Sequence, residues 1–271
     1  MKYSILEIAS ALGIKEKFGI ASISNLLTDS RDLFYPKETL FFALKTKNND
    51  GHKFVEELYE SGVRNFVVEK IVPEWKSFEN CNFLVVDNAL KALQKIGAHH
   101  RRKFNIPVVA ITGSNGKTVV KEWIYQLLQS TFRVTRSPRS YNSQIGVPLS
   151  VWQLDKDSEI GVFEAGISEP NEMSNLETII NPTIGILTNI GDAHQENFDS
   201  LRKKCLEKLE LFINCDVIIC EESDTLIEDC MDVACLSQKR LTWSRGLSTS
   251  SALQIKKAIK TLGVGAEHNT R

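Results

Sequence analysis

The segment GSNGKT, residues 113–118, combines the residue types that bind phosphate groups. It follows an apolar run, IPVVAI (106–111), and precedes a helix-like pattern. Its two glycines allow a tight turn whose N–H groups point at one place, Lys117 can reach β- and γ-phosphate oxygens, and the Thr118 hydroxyl can bind Mg²⁺. The usual P-loop, GxxxxGK[ST], would need a glycine where this chain has Ile111, so the loop is a shorter variant. The segment predicts a nucleotide-phosphate loop, and the alternative is an ordinary glycine-rich turn with an exposed lysine.

Polar side chains end two further strand-like segments. The run EIGVFEAG places Glu164 at the end of an apolar strand, and TIGILTNIGDAHQENF brings Asn189, Asp192 and His194 after the next one. Open α/β sheets bind ligands at the carboxyl ends of their strands, so a metal-binding carboxylate at Glu164 would face Thr118. Taken alone, Glu164 is equally well a solvated charge at a strand end, and His194 is more often a structural histidine.

Alternating strand-like and helix-like segments predict an α/β fold. An N-terminal amphipathic helix, MKYSILEIASALGI, precedes a small α/β unit that ends near Asp87. The strands expected there are TLFFAL, RNFVV and NFLVV, with the helix-like HKFVEELYESG among them. A helix-like stretch, NALKALQKIGAHHRRKF, then leads to the strands expected of a mostly parallel, doubly wound sheet: IPVVAI, VWQL, EIGVFEAG, TIGILTNI, DVIIC and RLTWS. The predicted domains are residues 1–87 and residues 88–271.

Composition narrows the functional classes. The chain has 271 residues and a formal net charge of −1, so bulk electrostatics does not indicate a nucleic-acid or membrane surface. The six cysteines form no CxxC pair and have no histidine at metal spacing, which predicts buried, reduced thiols of a cytoplasmic protein. Glu7 interrupts what would have to be a signal-peptide core, and no apolar run reaches the about 18 residues needed to span a bilayer.

Several separated segments together resemble the Mur ligases. They are TDSRDLFYPKETLFFAL, NNDGHKF, TGSNGKTVVKEW, YNSQIGVPLSVWQL, FEAGISEPNEM, LTNIGDAHQENFDS and KCLEKLELF, and they extend over roughly residues 1–245. Within that family they are most similar to the members that join D-alanyl-D-alanine to a UDP-linked muramoyl tripeptide. The resemblance implies a small N-terminal domain that binds the uridine nucleotide, followed by a P-loop ATPase-like central domain.

The resemblance also implies roles for individual residues. The positions that match the ATP-phosphate loop are Gly113, Ser114, Asn115, Gly116, Lys117 and Thr118. Thr118 and Glu164 match one Mg²⁺ site, and His194 matches a ligand of a second. Lys208 matches a lysine that CO₂ converts to a carbamate, whose negative charge would help to hold the second Mg²⁺. The residues expected to act in catalysis are Lys117, Asn142, His194 and Lys208.

Two of these assignments leave alternatives open. From the residues alone, Lys208 is one of several surface lysines on a charged helix, RKKCLEKLE. The residues that match the uridine-nucleotide side of the family are Ser30, Arg31, Asp50, Gly51 and His52. For the DGH segment among them, an ordinary Asx turn is the alternative.

The implied reaction is ATP-dependent amide formation through an acyl phosphate, with UDP-muramoyl tripeptide and D-alanyl-D-alanine as substrates. We expect a monomer. The central domain looks incomplete and a third, amine-binding domain is expected to be absent, so we expect the isolated chain to bind the UDP precursor and to form no product. Two other classes fit the residues: a non-catalytic module that binds nucleotides, and a different P-loop enzyme such as a folylpolyglutamate-type ligase or a small-molecule kinase.

Overall fold

The structure is a computed structural model that describes residues 1–191, 197–222, 224–245 and 253–255. Within these residues the chain forms a two-stranded, a four-stranded and a seven-stranded sheet. The α/β fold predicted from the alternating pattern is therefore confirmed.

The N-terminal segment begins with an antiparallel pair, β1 (Tyr3–Ser4) and β2 (Ser22–Ile23), joined through helix α1 (Ile5–Leu12). The Ser4 side chain caps α1 by accepting a hydrogen bond from the Glu7 N–H at 3.1 Å. At its other end, Gly13 stops the helix in the left-handed conformation, with φ of +82°. The predicted amphipathic helix is thus present in shorter form.

A four-stranded parallel sheet makes up the rest of the N-terminal unit. Its strands lie in chain order and are β3 (Asn25–Leu27), β4 (Thr39–Phe42), β5 (Asn65–Val68) and β6 (Asn82–Val85). Helix α2 (Val55–Glu60) connects β4 to β5. All residues of β4 and β5 are buried, which explains why they read as continuous apolar runs, and the three strands expected here are confirmed.

Helix α3 (Ala89–Arg101) follows the N-terminal unit and contacts the cores on both sides of it. Its first turns bury Ala89, Leu93 and Ile96 among residues of the N-terminal sheet, whereas Ala98 belongs to the larger core. Near its end, a Cβ on Gly97 would come within 2.8 Å of Pro148, so the close approach requires glycine. The predicted domain boundary at residue 87 stays a prediction.

The seven-stranded sheet is entirely parallel. Its strands are β7 (Val108–Thr112), β8 (Val134–Arg136), β9 (Ile160–Glu164), β10 (Ile184–Leu187), β11 (Val217–Glu221), β12 (Lys239–Arg245) and β13 (Leu253–Ile255), in the spatial order β13-β12-β11-β10-β7-β9-β8. Helix α4 (Lys117–Leu128) covers one face. The opposite face carries α5 (Gly146–Val151), α6 (Met173–Ile180), α7 (Leu201–Leu209) and α8 (Thr225–Val233). This is the predicted doubly wound arrangement.

One predicted strand is wrong. The segment VWQL, residues 151–154, contains the last residue of α5 and the turn after it. Val147, Val151 and Leu154 are buried together, and their spacing is that of one helix face. The strand actually present on this side of the sheet is β8, which lies at the edge, has three half-buried residues and therefore carries little apolar pattern.

The strand order creates a switch point at β7. From β7 the chain goes to one side for β8 and β9, and then to the other side for β10 and the strands after it. In such sheets the crevice beyond the carboxyl end of the switch strand is where ligands bind. Residues 113–118 lie at that position.

The helices and the cysteines bear on two further expectations. None of the helices in the described part of the chain has the length and apolar character that a bilayer crossing requires. All six cysteines are free thiols, and Cys205, Cys215, Cys220 and Cys230 are buried as predicted. Cys81 is partly buried and Cys235 is exposed, so burial was wrongly expected for Cys235.

Candidate active site

The loop after β7 has a backbone that only glycine adopts comfortably at two positions. Gly113 has φ of +142° and Gly116 has φ of +81°. A Cβ on Gly113 would lie 2.0 Å from the Thr188 hydroxyl oxygen, so a side chain has no room there. Gly116 is the N-cap of α4, and the free N–H groups of the first turn point toward the crevice. The loop is therefore built for an anion.

The segment after β10 fixes the shape of this loop. The Ser114 N–H donates to the Asn189 carbonyl at 2.9 Å, and the Asn115 N–H donates to the Asn189 side-chain oxygen at 2.9 Å. The Ser114 hydroxyl donates to the Gly191 carbonyl at 3.0 Å and accepts from the Gly191 N–H at 2.9 Å. The structure thus brings Asn189 to the phosphate loop, whereas Asp192 and His194 lie outside the described residues.

Lys117 begins α4 and folds back over its own loop. Its ammonium donates to the Gly113 carbonyl at 3.0 Å, and the Ser114 carbonyl lies at 3.5 Å. Burial is the main cause that lowers the pKa of Lys117 from its usual value; the charge of Glu164 opposes this effect and that of Lys204 adds to it. An incoming phosphate would offer this ammonium charged acceptors in place of the two carbonyl oxygens.

Glu164 ends β9 with a fully buried side chain. Its Oε2 accepts a hydrogen bond from the Thr118 hydroxyl at 3.0 Å, and the Asn142 side-chain amide lies 3.5 Å from the same oxygen. Its Oε1 lies 3.0 Å from the Lys121 ammonium at an angle outside hydrogen-bond geometry, so among the described residues it has a charge partner and no hydrogen-bond partner.

A Mg²⁺ ion would fit the donors at this point. The Glu164 carboxylate, whose Oε1 accepts no hydrogen bond among the described residues, and the Thr118 hydroxyl, which contacts its Oε2, are hard oxygen ligands. Mg²⁺ in phosphate sites commonly takes one or two such protein ligands plus phosphate oxygens. The described residues contain no group of three or more His, Cys, Asp or Glu side chains placed to hold a metal by themselves. Thr118 and Glu164 would therefore share such an ion with phosphate oxygens.

Lys208 on α7 is buried, with 3% of its surface exposed, so its interpretation as a surface lysine is wrong. Burial, followed by the charges of Lys117 and Lys204, lowers the pKa of Lys208 to about 7. At neutral pH a large fraction of this side chain is therefore a neutral, nucleophilic amine. Exposed lysines such as Lys203, on the same helix, lack such surroundings.

The predicted residues meet at one cavity of about 290 Å³. Its lining includes Gly113, Ser114 and Lys117 from the loop, Asn142, and Lys208 from α7. Residues 166–168 and Glu172, which follow β9, close another side. Thr118 and Glu164 contact each other beside this cavity, so the residues predicted to bind phosphate and metal lie in one region with Lys208.

The residues assigned to the uridine nucleotide lie on the N-terminal unit and outside this cavity. Arg31 is largely exposed and pairs with Asp29. The DGH segment contains an Asx-type contact, because Asp50 Oδ1 accepts from the His52 N–H at 3.0 Å and lies 2.6 Å from the His52 Nδ1.

His52 also accepts a hydrogen bond at Nε2 from the Glu69 N–H, at 2.9 Å, which assigns its ring proton to Nδ1. A Cβ on Gly51 would come within 2.8 Å of the Leu44 nitrogen. Through these contacts the segment packs against Leu44 and Glu69, which gives it a structural role in the N-terminal unit. Ser30 begins a short 3₁₀ helix, Ser30–Asp32, whose N-cap is Asp29.

Three residues at the site were not predicted from the sequence. Thr188 supports the loop by donating to the Asn115 carbonyl at 2.6 Å. Lys204 is buried one turn before Lys208, and Lys121 is buried against Glu164. The available signal for Lys121 was its position one turn after Thr118, on the same side of a helix that begins at the phosphate loop.

Comparison with known proteins then decides the family. Residues 111–268, more than half of the chain, match the Mur ligase middle domain. The chain belongs to the Mur ligase family. Among Mur ligases, it is 35% identical over 189 residues to the UDP-N-acetylmuramoyl-tripeptide--D-alanyl-D-alanine ligase of Bacillus subtilis (strain 168), covering 70% of this chain and 40% of that protein. The protein of the same name from Borreliella burgdorferi is 35% identical over 179 residues, covering 64% and 39%.

Solved structures of Mur ligases have the same fold. A crystal structure of MurF from Acinetobacter baumannii superposes with a TM-score of 0.81 at 26% identity, covering 91% of this chain and 54% of that one. The MurF ligase from Thermotoga maritima in complex with ADP gives a TM-score of 0.71 at 26% identity, covering 81% and 50%. The chain therefore spans about 40% of the length of the curated relatives and about half of these solved Mur ligases.

Proposed function

We propose that the chain is the substrate-binding and ATP-binding part of a ligase that joins D-alanyl-D-alanine to UDP-N-acetylmuramoyl tripeptide. The observation that carries the proposal is the meeting of the glycine loop, Lys117, Asn142 and Lys208 at one cavity beside the Thr118–Glu164 pair. The names of the relatives support the substrates. The ADP complex of the Thermotoga maritima ligase supports the nucleotide.

The phosphate loop would hold the triphosphate of ATP. Its backbone N–H groups and the start of α4 supply partial positive charge, and Lys117 supplies a full charge at its edge. Buried Lys204, whose ammonium donates to the Gly191 carbonyl beside the loop, increases the positive potential of the same region. A ligand with several negative charges, such as a nucleoside triphosphate, is the class that this potential favours.

In the proposed reaction the terminal carboxylate of the tripeptide attacks the γ-phosphorus, and the bond to the β-phosphate breaks with ADP leaving. The amine of D-alanyl-D-alanine then attacks the acyl carbon, a C–N bond forms, and phosphate leaves as the amine loses a proton. Lys117 would reduce the repulsion between the two anions in the first step, and Asn142 would orient the groups near the γ-phosphate. When bound, Mg²⁺ would supply further charge neutralisation at Thr118 and Glu164.

Lys208 is proposed to carry a carbamate. Its neutral amine would form an N–C bond to CO₂ and release one proton, which leaves an anion in place of the neutral amine. The depressed pKa supports this step, since only the neutral amine is nucleophilic. The carbamate and His194 would then belong to a second Mg²⁺ site.

The remaining assignments follow from the same proposal. Ser30, Arg31, Asp50, Gly51 and His52 would serve the uridine-nucleotide side, with Arg31 the exposed group free to reach a phosphate once it leaves Asp29. The free cysteines fit a reducing compartment, and we propose that the protein acts in the cytoplasm as a monomer.

The test combines binding and turnover. The chain is titrated calorimetrically with UDP-N-acetylmuramoyl tripeptide and with Mg-ATP, and both are then incubated with D-alanyl-D-alanine. Phosphate release and product mass are measured. The proposal predicts that the chain binds both ligands saturably. Any product should have the mass of the UDP precursor plus one dipeptide, with one ATP consumed for each product molecule.

Controls separate the alternatives. An Arg31→Ala variant is expected to weaken binding of the UDP precursor without changing Mg-ATP binding, because Arg31 is exposed and remote from the phosphate loop. Binding of both ligands without product is the result expected of this part of a ligase. ATP binding with no affinity for the UDP precursor contradicts the proposal and favours another class of P-loop enzyme.

A further inference from the structure

Lys121 lies directly behind the phosphate loop, and its side chain is completely buried. It stands one turn after Thr118 on α4, so both residues face the end of β9. Thr118 contacts one carboxylate oxygen of Glu164 at 3.0 Å, and the Lys121 ammonium lies 3.0 Å from the other. Both oxygens of this carboxylate are therefore contacted from one helix.

The same ammonium also holds the segment between β8 and α5. Lys121 donates to the Ser137 carbonyl at 2.9 Å and to the Arg139 carbonyl. The Ser137 hydroxyl in turn accepts from the Glu164 N–H at 3.1 Å. This segment continues to Asn142, whose side chain approaches Glu164. One buried cation thus connects α4, the end of β9 and the segment that carries Asn142.

The stability of the fold alone does not explain why the Lys121 ammonium is buried against the Glu164 carboxylate. Removing an ammonium and a carboxylate from water costs several kcal/mol per ion, and a well-packed apolar pair is often as stable. Lys121 is also absent from the lining of the cavity, so it does not offer its charge to a phosphate directly. What it supplies is a fixed orientation for Glu164, the side chain that would bind the metal.

We propose that Lys121 is a positioning residue that sets the Glu164 carboxylate for the metal of Mg-ATP and orders the segment that carries Asn142. The proposal rests on the proposed function, because a metal-nucleotide complex is the ligand for which the carboxylate would be oriented. Partners that orient a metal ligand typically contribute 10- to 100-fold to metal affinity, so the loss expected here is about tenfold or more.

The test compares ATP affinity with and without Mg²⁺. In Lys121→Met the ammonium is removed, and in Lys121→Met/Glu122→Gln a neighbouring carboxylate is removed as well, which keeps the net charge of the cluster unchanged. Glu122 lies 3.1 Å from Lys121 and also pairs with Arg136. Lys203→Met, an exposed lysine paired with Asp199, is the control. Thermal unfolding identifies folded variants, and the double variant carries the test if the single one does not fold.

The expected result is selective for the metal. Mg-ATP binding by the Lys121 variants falls by about tenfold or more, while ATP binding in EDTA changes by less than about twofold, and Lys203→Met matches the wild type in both. Unchanged Mg-ATP affinity in a folded Lys121 variant overturns this inference and leaves the proposed function intact. Equal losses with and without Mg²⁺ also overturn it, since they indicate general damage. Failure of the wild-type chain to bind Mg-ATP overturns the proposed function itself.

Discussion

Replacing Gly113 with alanine should damage the phosphate loop far more than a typical glycine substitution. Its φ of +142° is unfavourable for any residue with a Cβ, which costs about 1–3 kcal/mol. The new Cβ would lie 2.0 Å from the Thr188 hydroxyl and 3.0 Å from the backbone N and O of Asn189. If Thr188 turns away, its hydrogen bond to Asn115 is lost, at about 1 kcal/mol, and the backbone contacts still remain. The free energy of unfolding is therefore expected to fall by about 3–5 kcal/mol in Gly113→Ala.

The chain offers a matched control for this prediction. Gly13, at the end of α1, has φ of +82°, and a Cβ there would meet nothing within 4 Å. Gly13→Ala therefore adds backbone strain of about 1–2 kcal/mol without a collision. Urea denaturation measures the free energy of unfolding of both variants, and calorimetry measures their affinity for ATP. Only Gly113→Ala should lose ATP binding, by about tenfold or more, because its loop is displaced. Equal destabilisation of the two variants would refute the reasoning.

Three further outcomes are expected. Lys117→Ala should abolish Mg-ATP binding or weaken it by about tenfold or more with little change in melting temperature, and unchanged affinity in the folded variant would remove Lys117 from the site. With ¹³C-bicarbonate, a carbamate NMR signal should grow from pH 6 to pH 8, as Lys208 loses its proton through a pKa of about 7, and a signal that persists in Lys208→Ala would contradict the assignment. Burial lowers the pKa of His100 from 6.5 to about 4, so acidification protonates the unfolded chain first. The stabilisation from neutral, buried His100 should therefore be fully present above about pH 6.5, and the free energy of unfolding should fall by up to about 3 kcal/mol as the pH is lowered to 4. A free energy of unfolding that does not change over this range would contradict the prediction.

Local pattern was sufficient where one short segment determines the geometry. The strand, tight turn and helix start around residues 113–118 could be predicted because the apolar run, glycines and helical pattern are contiguous. Glu164 could be placed at a strand end, but its burial could not be predicted, since a solvated charge fitted the sequence equally well. Strands β9 to β12 were also predicted correctly. In β9 four of five residues are buried, which produces the continuous apolar run of a parallel strand.

Pairings between distant segments could not be predicted. The position of Lys121 one turn after Thr118 indicates a shared helix face but not a contact with Glu164, and nothing in RKKCLEKLE distinguishes buried Lys204 and Lys208 from exposed Lys203. The segment VWQL was misassigned because a short apolar run fits a strand or a buried helix end equally well. Edge strand β8 has too few buried residues to produce a pattern.

Crystals of the chain grown with a non-hydrolysable ATP analogue and Mn²⁺ in place of Mg²⁺ would show whether nucleotide and metal bind at Thr118 and Glu164. Anomalous scattering locates the Mn²⁺ without reference to any assumed site. A Mn²⁺ peak is expected within coordination distance of the Thr118 hydroxyl and the Glu164 carboxylate, next to a triphosphate lying on residues 113–118. Nucleotide bound elsewhere, or the lack of any metal peak in contact with Glu164, would contradict the proposed site.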